Sequence, residues 1–305
     1  MEQFTKANGI EICYETFGDK GNPTVLFVMG LGAQMIAWPD IYMNGMVEAG
    51  YHVVRYDNRD VGLSQKFDDA GMPDFQALVK DLVAGKTPEV PYYLADMAAD
   101  GISLMDALGI DKAHIIGASM GGMIVQQMVI DAPERVTSMV SIMSTTGDPS
   151  VPQATEEAMA VLTTPAPDTN DIEVLVDHAM KNRRVIGGDG FEDNIEEART
   201  LAARIIKRSV YPVGAARQRA GIMASGSRTE ALKSVTVPTL VIHGDNDPLV
   251  RVEGGIHTAE TIPGARLEIL EGMGHASFPR YQQRILALLS DHATAHEPTR
   301  ANAAE

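Results

Sequence analysis

The sequence predicts an α/β fold with a mostly parallel central sheet and helices on both faces. Two observations carry this. Apolar runs of strand length, such as "PTVLFVMG" (23–30) and "YHVVRYD" (51–57), suit strands buried on both faces. These runs alternate with segments whose apolar residues recur at helical spacing, the pattern of a sheet with crossover helices.

The elements follow in order. Residues 3–7 and 10–17 form a predicted hairpin around the turn "NG". Strands at 23–30 and 51–57 come next. Residues 94–108, "LADMAADGISLMDAL", place Leu94, Met97, Ala98, Ile102, Met105 and Leu108 on one helical face. "KAHIIGAS" is a strand, residues 120–131 a helix and 136–144 a further strand. Residues 148–233 lack a good strand, contain helical stretches and have Pro-rich joints at 149–152 and 165–167. "VTVPTLVIHGD" and "ARLEILEG" then restore the strands. The division expected is a core of 1–147 and 234–295, a helical insertion of 148–233 lying over the sheet, and a frayed polar tail at 296–305. His292 and His296 are assigned to that tail.

Composition narrows the classes. The 305 residues carry a formal charge of −16, which disfavours nucleic acid and anionic membranes as partners. Cys13 is the only cysteine, so neither an intramolecular disulfide nor a cysteine zinc site is expected. No run of about 18 apolar residues is present. The start, "MEQFTKANG", lacks the basic-then-apolar pattern of a signal peptide, so a cytoplasmic location is expected.

The chemistry centres on "HIIGASMGGMIV" (114–125), where Ser119 stands between glycines in a strand-to-helix turn. Such a stretch is either a small-residue turn packed on the sheet or a strained turn presenting a nucleophile. A serine nucleophile needs a base, and the base needs an orienting acid. Both belong at the carboxyl ends of later strands, where open α/β sheets place their sites. "LVIHGDNDPLV" offers Asp245 and Asp247 in a turn, and "LEILEGMGHASF" offers His275 framed by glycines. His243 with the two aspartates also reads as a short metal-ligand cluster, though without a second nearby histidine. His52 and His114 begin apolar strands and read as packing or cap residues; His178 and His257 fall on helical segments. Ser64 reads as a turn residue.

In combination these motifs resemble the α/β-hydrolases, over roughly 1–147 and 234–295. Ser119 matches the nucleophile elbow, Asp247 the acid in "G-x-x-D-x-[LIV]", and His275 the base in "G-x-G-H". "VMGLG" matches the oxyanion loop and "RYDNRDVGLS" the loop after the next strand; the latter, with "GMGHA", resembles the aclacinomycin methylesterase branch more than the dehalogenases. The resemblance implies a serine hydrolase of carboxylic esters with oxyanion donors at Leu31 and Met120. It implies no metal or cofactor. Met29, Met120 and Met273 flank the three motif loops and are expected, with Trp38, to line an apolar pocket, which together with the helical insertion suits a small or medium apolar ester. Carbon–carbon bond hydrolases, lactonases, perhydrolases and acyltransferases share the triad, and a non-catalytic binding protein could share the scaffold. Relatives that attack with aspartate are disfavoured by Ser119. One departure stands out: the family usually has histidine where this chain has Met29, which removes a polar group that often braces the oxyanion loop.

Overall fold

In the computed structural model, which describes residues 1–188, 194–276 and 279–297, the apolar runs become strands covered on both sides. The described strands are β1 (Gln3–Ala7), β2 (Ile10–Phe17), β3 (Thr24–Val28), β4 (His52–Tyr56), β5 (Ala113–Ala118), β6 (Val136–Ile142), β7 (Thr239–Gly244) and β8 (Arg266–Leu270). They form one sheet in the order β1-β2-β4-β3-β5-β6-β7-β8. The β1–β2 and β2–β4 pairs are antiparallel and the others parallel. Asn8 and Gly9 take φ of 49° and 78°, the left-handed pair that a two-residue hairpin turn requires.

The described helices are α1 (Asp40–Glu48), α2 (Phe75–Val83), α3 (Leu94–Ala107), α4 (Met120–Asp131), α5 (Glu156–Thr163), α6 (Ile172–Ile186), α7 (Ile195–Arg208), α8 (Pro212–Ser225), α9 (Thr229–Leu232), α10 (Val252–Thr261) and α11 (Pro279–His296). Successive strand side chains point to opposite faces, so each apolar run supplies two cores. Val25 and Phe27 of β3 meet Tyr42, Met43 and Met46 of α1 and Ile285, Leu288 and Leu289 of α11. Leu26 and Val28 meet Leu94, Met97 and Leu104 of α3 and Ile124, Val125 and Met128 of α4. Each such side chain contributes about 1.5–3 kcal/mol by leaving water. Among the described residues the chain between β6 and β7 holds only helices, plus one bridge between Gly188 and Met273. No described helix is long and apolar enough to cross a membrane.

Two helices exceed the sequence reading. α1 and α2 are nine residues each, too short for much periodicity. Tertiary packing stabilises such segments more than propensity does. The frayed tail also needs correction at its start. α11 continues through His296, and His292 is buried beside Leu288, Leu289 and Ala293 because it falls on the core-facing stripe of that helix. The rest of the expected tail, 298–305, lies outside the described residues.

Candidate active site

Parallel pairing of β3 to β8 brings the carboxyl ends of these strands, and the loops that follow them, to one edge of the sheet. Ser119 joins β5 to α4 with φ 56° and ψ −120°, a strained conformation for a residue with a side chain. The flanking glycines make this turn possible. A Cβ on Gly117 would overlap the carbonyl oxygen of Gly121, and one on Gly121 would overlap that of Val28. Hydrogen bonds hold the strained residue from both sides: its N–H donates to Ile142 O at 2.9 Å, and Ser144 Oγ donates to its carbonyl at 2.8 Å.

The structure brings Ser119, His275 and Asp247 together. His275 Nε2 lies 2.9 Å from Ser119 Oγ, and His275 Nδ1 lies 2.7 Å from Asp247 Oδ2. With an ionised carboxylate at Nδ1, that nitrogen carries the proton and Nε2 is free to accept from the hydroxyl. Asp247 is almost fully buried. Burial opposes its ionisation, but His275 and His243 beside it outweigh that, holding its carboxyl well below the usual carboxylate range. Its other oxygen accepts the N–H groups of Leu249 and Val250 at 2.8 and 2.9 Å, which also favours the anion.

Asp245, the competing acid, instead accepts the Gly272 N–H at 2.7 Å and ties the turn after β7 to the turn after β8. His243 Nε2 lies 2.8 Å from Val250 O, so its ring braces the Asp247 turn. The His275 N–H donates to Ile186 O at 2.6 Å, anchoring the base to the end of α6.

The loop Met29–Gly32 packs against the elbow. A Cβ on Gly30 would sit 3.1 Å from Ser119 Cβ and from Ala118 O, tighter than ordinary contact. Two buried side-chain amides, neither singled out by sequence, clamp this loop. Asn58 Nδ2 donates to Met29 O at 2.8 Å. Gln218 Oε1 accepts the Gly32 N–H at 2.8 Å while its Nε2 donates to Arg59 O at 2.7 Å. The bracing that Met29 lacks therefore comes from other elements. Asn58 stood in a quoted motif, but nothing in the sequence of α8 marked Gln218. The Leu31 N–H makes no hydrogen bond among the described residues, and Met120 supplies the first N–H of α4, which has no intrahelical partner.

Ser64 is a structural turn residue: its Oγ accepts the Cys13 N–H at 2.9 Å and donates to Asp57 O at 2.6 Å. A cavity of about 1100 Å³ opens at the relay. Met29, Leu31, Trp38, Met120 and His275 line it on the sheet side, with Val151, Leu162, Ile222 and Met223 from the stretch between β6 and β7. Trp38 is fixed edge-on to Phe27, with ring centroids 5.0 Å apart. Met273 departs from the expectation. It does not line the cavity but is fully buried in the layer with Leu270 and Ala276, because its turn folds under the end of β7 and is covered by the bridge to Gly188.

A family model described as the α/β-hydrolase fold matches residues 23–178. Among curated proteins, rhodomycin D methylesterase DnrP of Streptomyces peucetius is 27% identical, with 92% of this chain and 94% of that protein covered. A 2-hydroxy-6-oxononadienedioate/2-hydroxy-6-oxononatrienedioate hydrolase of a Pseudomonas species is also 27% identical, over 84% of this chain and 83% of its own. Among solved structures, the enol-lactonase of Burkholderia xenovorans LB400 superposes with a TM-score of 0.72 at 21% identity, covering 96% of this chain and all of that one, a likeness of fold.

Proposed function

Because the chain belongs to the α/β-hydrolase fold family, we propose that it hydrolyses a carboxylic ester through an acyl-enzyme on Ser119. The observation that carries this reading is the unbroken contact from Asp247 through His275 to Ser119, at 2.7 and 2.9 Å. His275 Nε2 takes the hydroxyl proton as Ser119 Oγ attacks the carbonyl carbon. Buried, ionised Asp247 holds the ring in the required tautomer and stabilises the imidazolium that forms. The N–H groups of Leu31 and Met120 receive the oxyanion; the second of these stands at the N-terminus of α4, where the helix dipole favours negative charge. His275 then gives its proton to the departing alcohol, and water, deprotonated by the same nitrogen, releases the acid. These steps require no metal or cofactor.

The methylesterase named among the relatives supports an ester as substrate. A lactone is a cyclic ester, and the same steps open it. We assign residues 148–233 to a cap over the core of 1–147 and 234–295, since Val151, Leu162, Ile222 and Met223 face the same cavity as Ser119. The apolar lining suits a small or medium ester.

The test is a panel of p-nitrophenyl esters with mass spectrometry of the trapped protein. A mass increase of one acyl group on Ser119 is expected. Ser119→Ala should lower kcat by about 10⁶ if the three residues act as a unit. A pure, folded Ser119→Ala protein retaining a tenth of the activity would sink the assignment.

A further inference from the structure

Residues 195–228 carry seven arginines and lysines against two glutamates, in a chain whose formal charge is −16. Three of these arginines, Arg204, Arg219 and Arg228, line the cavity that contains Ser119, and among the described residues neither Arg219 nor Arg228 meets a carboxylate. Arg228 is 5% exposed. Its guanidinium is held only by neutral acceptors: Gln126 Oε1 at 3.1 Å, Gly226 O at 3.4 Å and Thr145 O at 2.8 Å. Arg219 donates to Leu162 O at 3.3 Å and lies 4.3 Å from the centre of the Phe75 ring.

Elsewhere the chain gives its buried arginines counter-charges. Arg59 pairs with Asp100, Arg217 with Asp60 and Arg55 with Glu15, each at 2.7 Å. A buried cation without such a partner is costly. Burial pushes Arg228 down to about 10 and lowers Arg219, yet both remain protonated at neutral pH. Acids on the cavity wall do not answer them: Asp148 accepts from Ser150 and Thr229, Asp40 lies 3.4 Å from Arg55, and Glu197 is exposed.

We propose that Arg228, with Arg219, forms an anion subsite for a carboxylate that the substrate carries away from its scissile bond. This rests on the reading of Ser119 as the nucleophile of an ester hydrolase. Gln126, which accepts from Arg228 Nε, stands seven residues along α4 from Ser119, roughly 10 Å of helix rise. The carboxylate and the scissile carbonyl are therefore separated by a spacer of that order, as in the half-ester of a medium-chain dicarboxylic acid. A guanidinium pairs with a carboxylate through parallel charge-assisted hydrogen bonds. Exposed Arg204 and Lys207 on α7 add positive potential that draws an anion toward an otherwise acidic molecule.

The experiment compares the p-nitrophenyl monoesters of succinic, adipic and suberic acids with their methyl-capped neutral counterparts. The suberate monoester should exceed its neutral counterpart in kcat/KM by about tenfold or more. That ratio should collapse toward one in Arg228→Gln and in Arg219→Gln; the half-buried Arg219 keeps the test available if Arg228→Gln does not fold. A wild-type ratio at or below one would overturn the subsite. Trp38, the only tryptophan, lines the cavity and reports binding without turnover. In Ser119→Ala, monomethyl suberate should quench its fluorescence at lower concentration than dimethyl suberate. Preferential binding of the acid with no ester turnover by the wild type would overturn ester hydrolysis and sustain the subsite. Equal binding of the two would overturn the subsite even where esters are cleaved.

Discussion

Asp245 and Asp247 stand two positions apart in one turn, and only their partners separate them. Asp247 reaches His275 Nδ1, whereas Asp245 is spent on the Gly272 N–H. Asp247→Asn should cut kcat by about 10⁴, since an amide there can favour the wrong imidazole tautomer. Asp245→Asn should leave kcat within roughly tenfold and lower stability by the worth of one charged hydrogen bond, about 1.5–3 kcal/mol. Steady-state kinetics on one ester, with melting curves for both variants, checks the pair. The opposite ranking in kcat would move the acid to Asp245. The spacing to "PLV" favoured Asp247 by resemblance to the family; local hydrogen-bonding capacity alone could not, because either aspartate can cap a turn.

At the scale of elements, α8 holds the oxyanion loop through the amide of Gln218. Gln218 is fully buried and joins Gly32 N–H to Arg59 O. Gln218→Leu would leave both groups buried without a partner, at a cost of about 1–3 kcal/mol. Loosening a loop that positions an oxyanion donor should also lower kcat, by about tenfold to a hundredfold, with KM changing less. Gln218→Glu retains an acceptor for Gly32 and should recover part of the loss. If Gln218→Leu melts earlier but turns over as fast as the wild type, the residue is structural only. The same reasoning accounts for Met29. Its carbonyl is held by Asn58 and its side chain faces the cavity, so backbone bracing does not depend on the identity of residue 29.

For the whole molecule, acid is the expected weakness, and α11 supplies one definable part of it. Burial, with His296 second, pushes His292 down to about 4, from an ordinary value near 6.5. Other positive or titratable neighbours, His114 and Arg266, act in the same direction. A histidine with a depressed folded pKa stays neutral in the native state, while the unfolded chain takes up the proton. Its penalty is therefore absent above about pH 6.5, grows as pH falls and is complete below about 4. Over that window it amounts to at most about 3 kcal/mol. His292→Leu should flatten the fall in melting temperature between pH 7 and 4 with little change at pH 7, because the buried Nε2 has no hydrogen-bond partner among the described residues and the Pro238 carbonyl, which also bonds the ring and partly opposes the depression, keeps the Met139 N–H. Parallel melting curves for the two proteins across that window would contradict the assignment.

Local pattern determined the strands and the elbow. A run such as "TVLFV" buries both faces wherever it pairs, and G-A-S-M-G is demanded by sterics within a few residues of Ser119. His275 was legible for the same reason, as a glycine-framed histidine at a strand end. Tertiary structure decided what long-range partners control. Helices α1 and α2 depend on the faces they pack against, and Met273 turned inward because a bridge from Gly188 covers it. Gln218 became part of the oxyanion loop from 186 residues away. Arg217, in the middle of α8, and Arg228, at the start of α9, are both buried but received opposite surroundings: one was given Asp60, the other only neutral oxygens beside a cavity. Sequence spacing specifies neighbours along a helix or strand, but the partner of a long polar side chain is set by which distant segment the fold brings within about 3 Å of it.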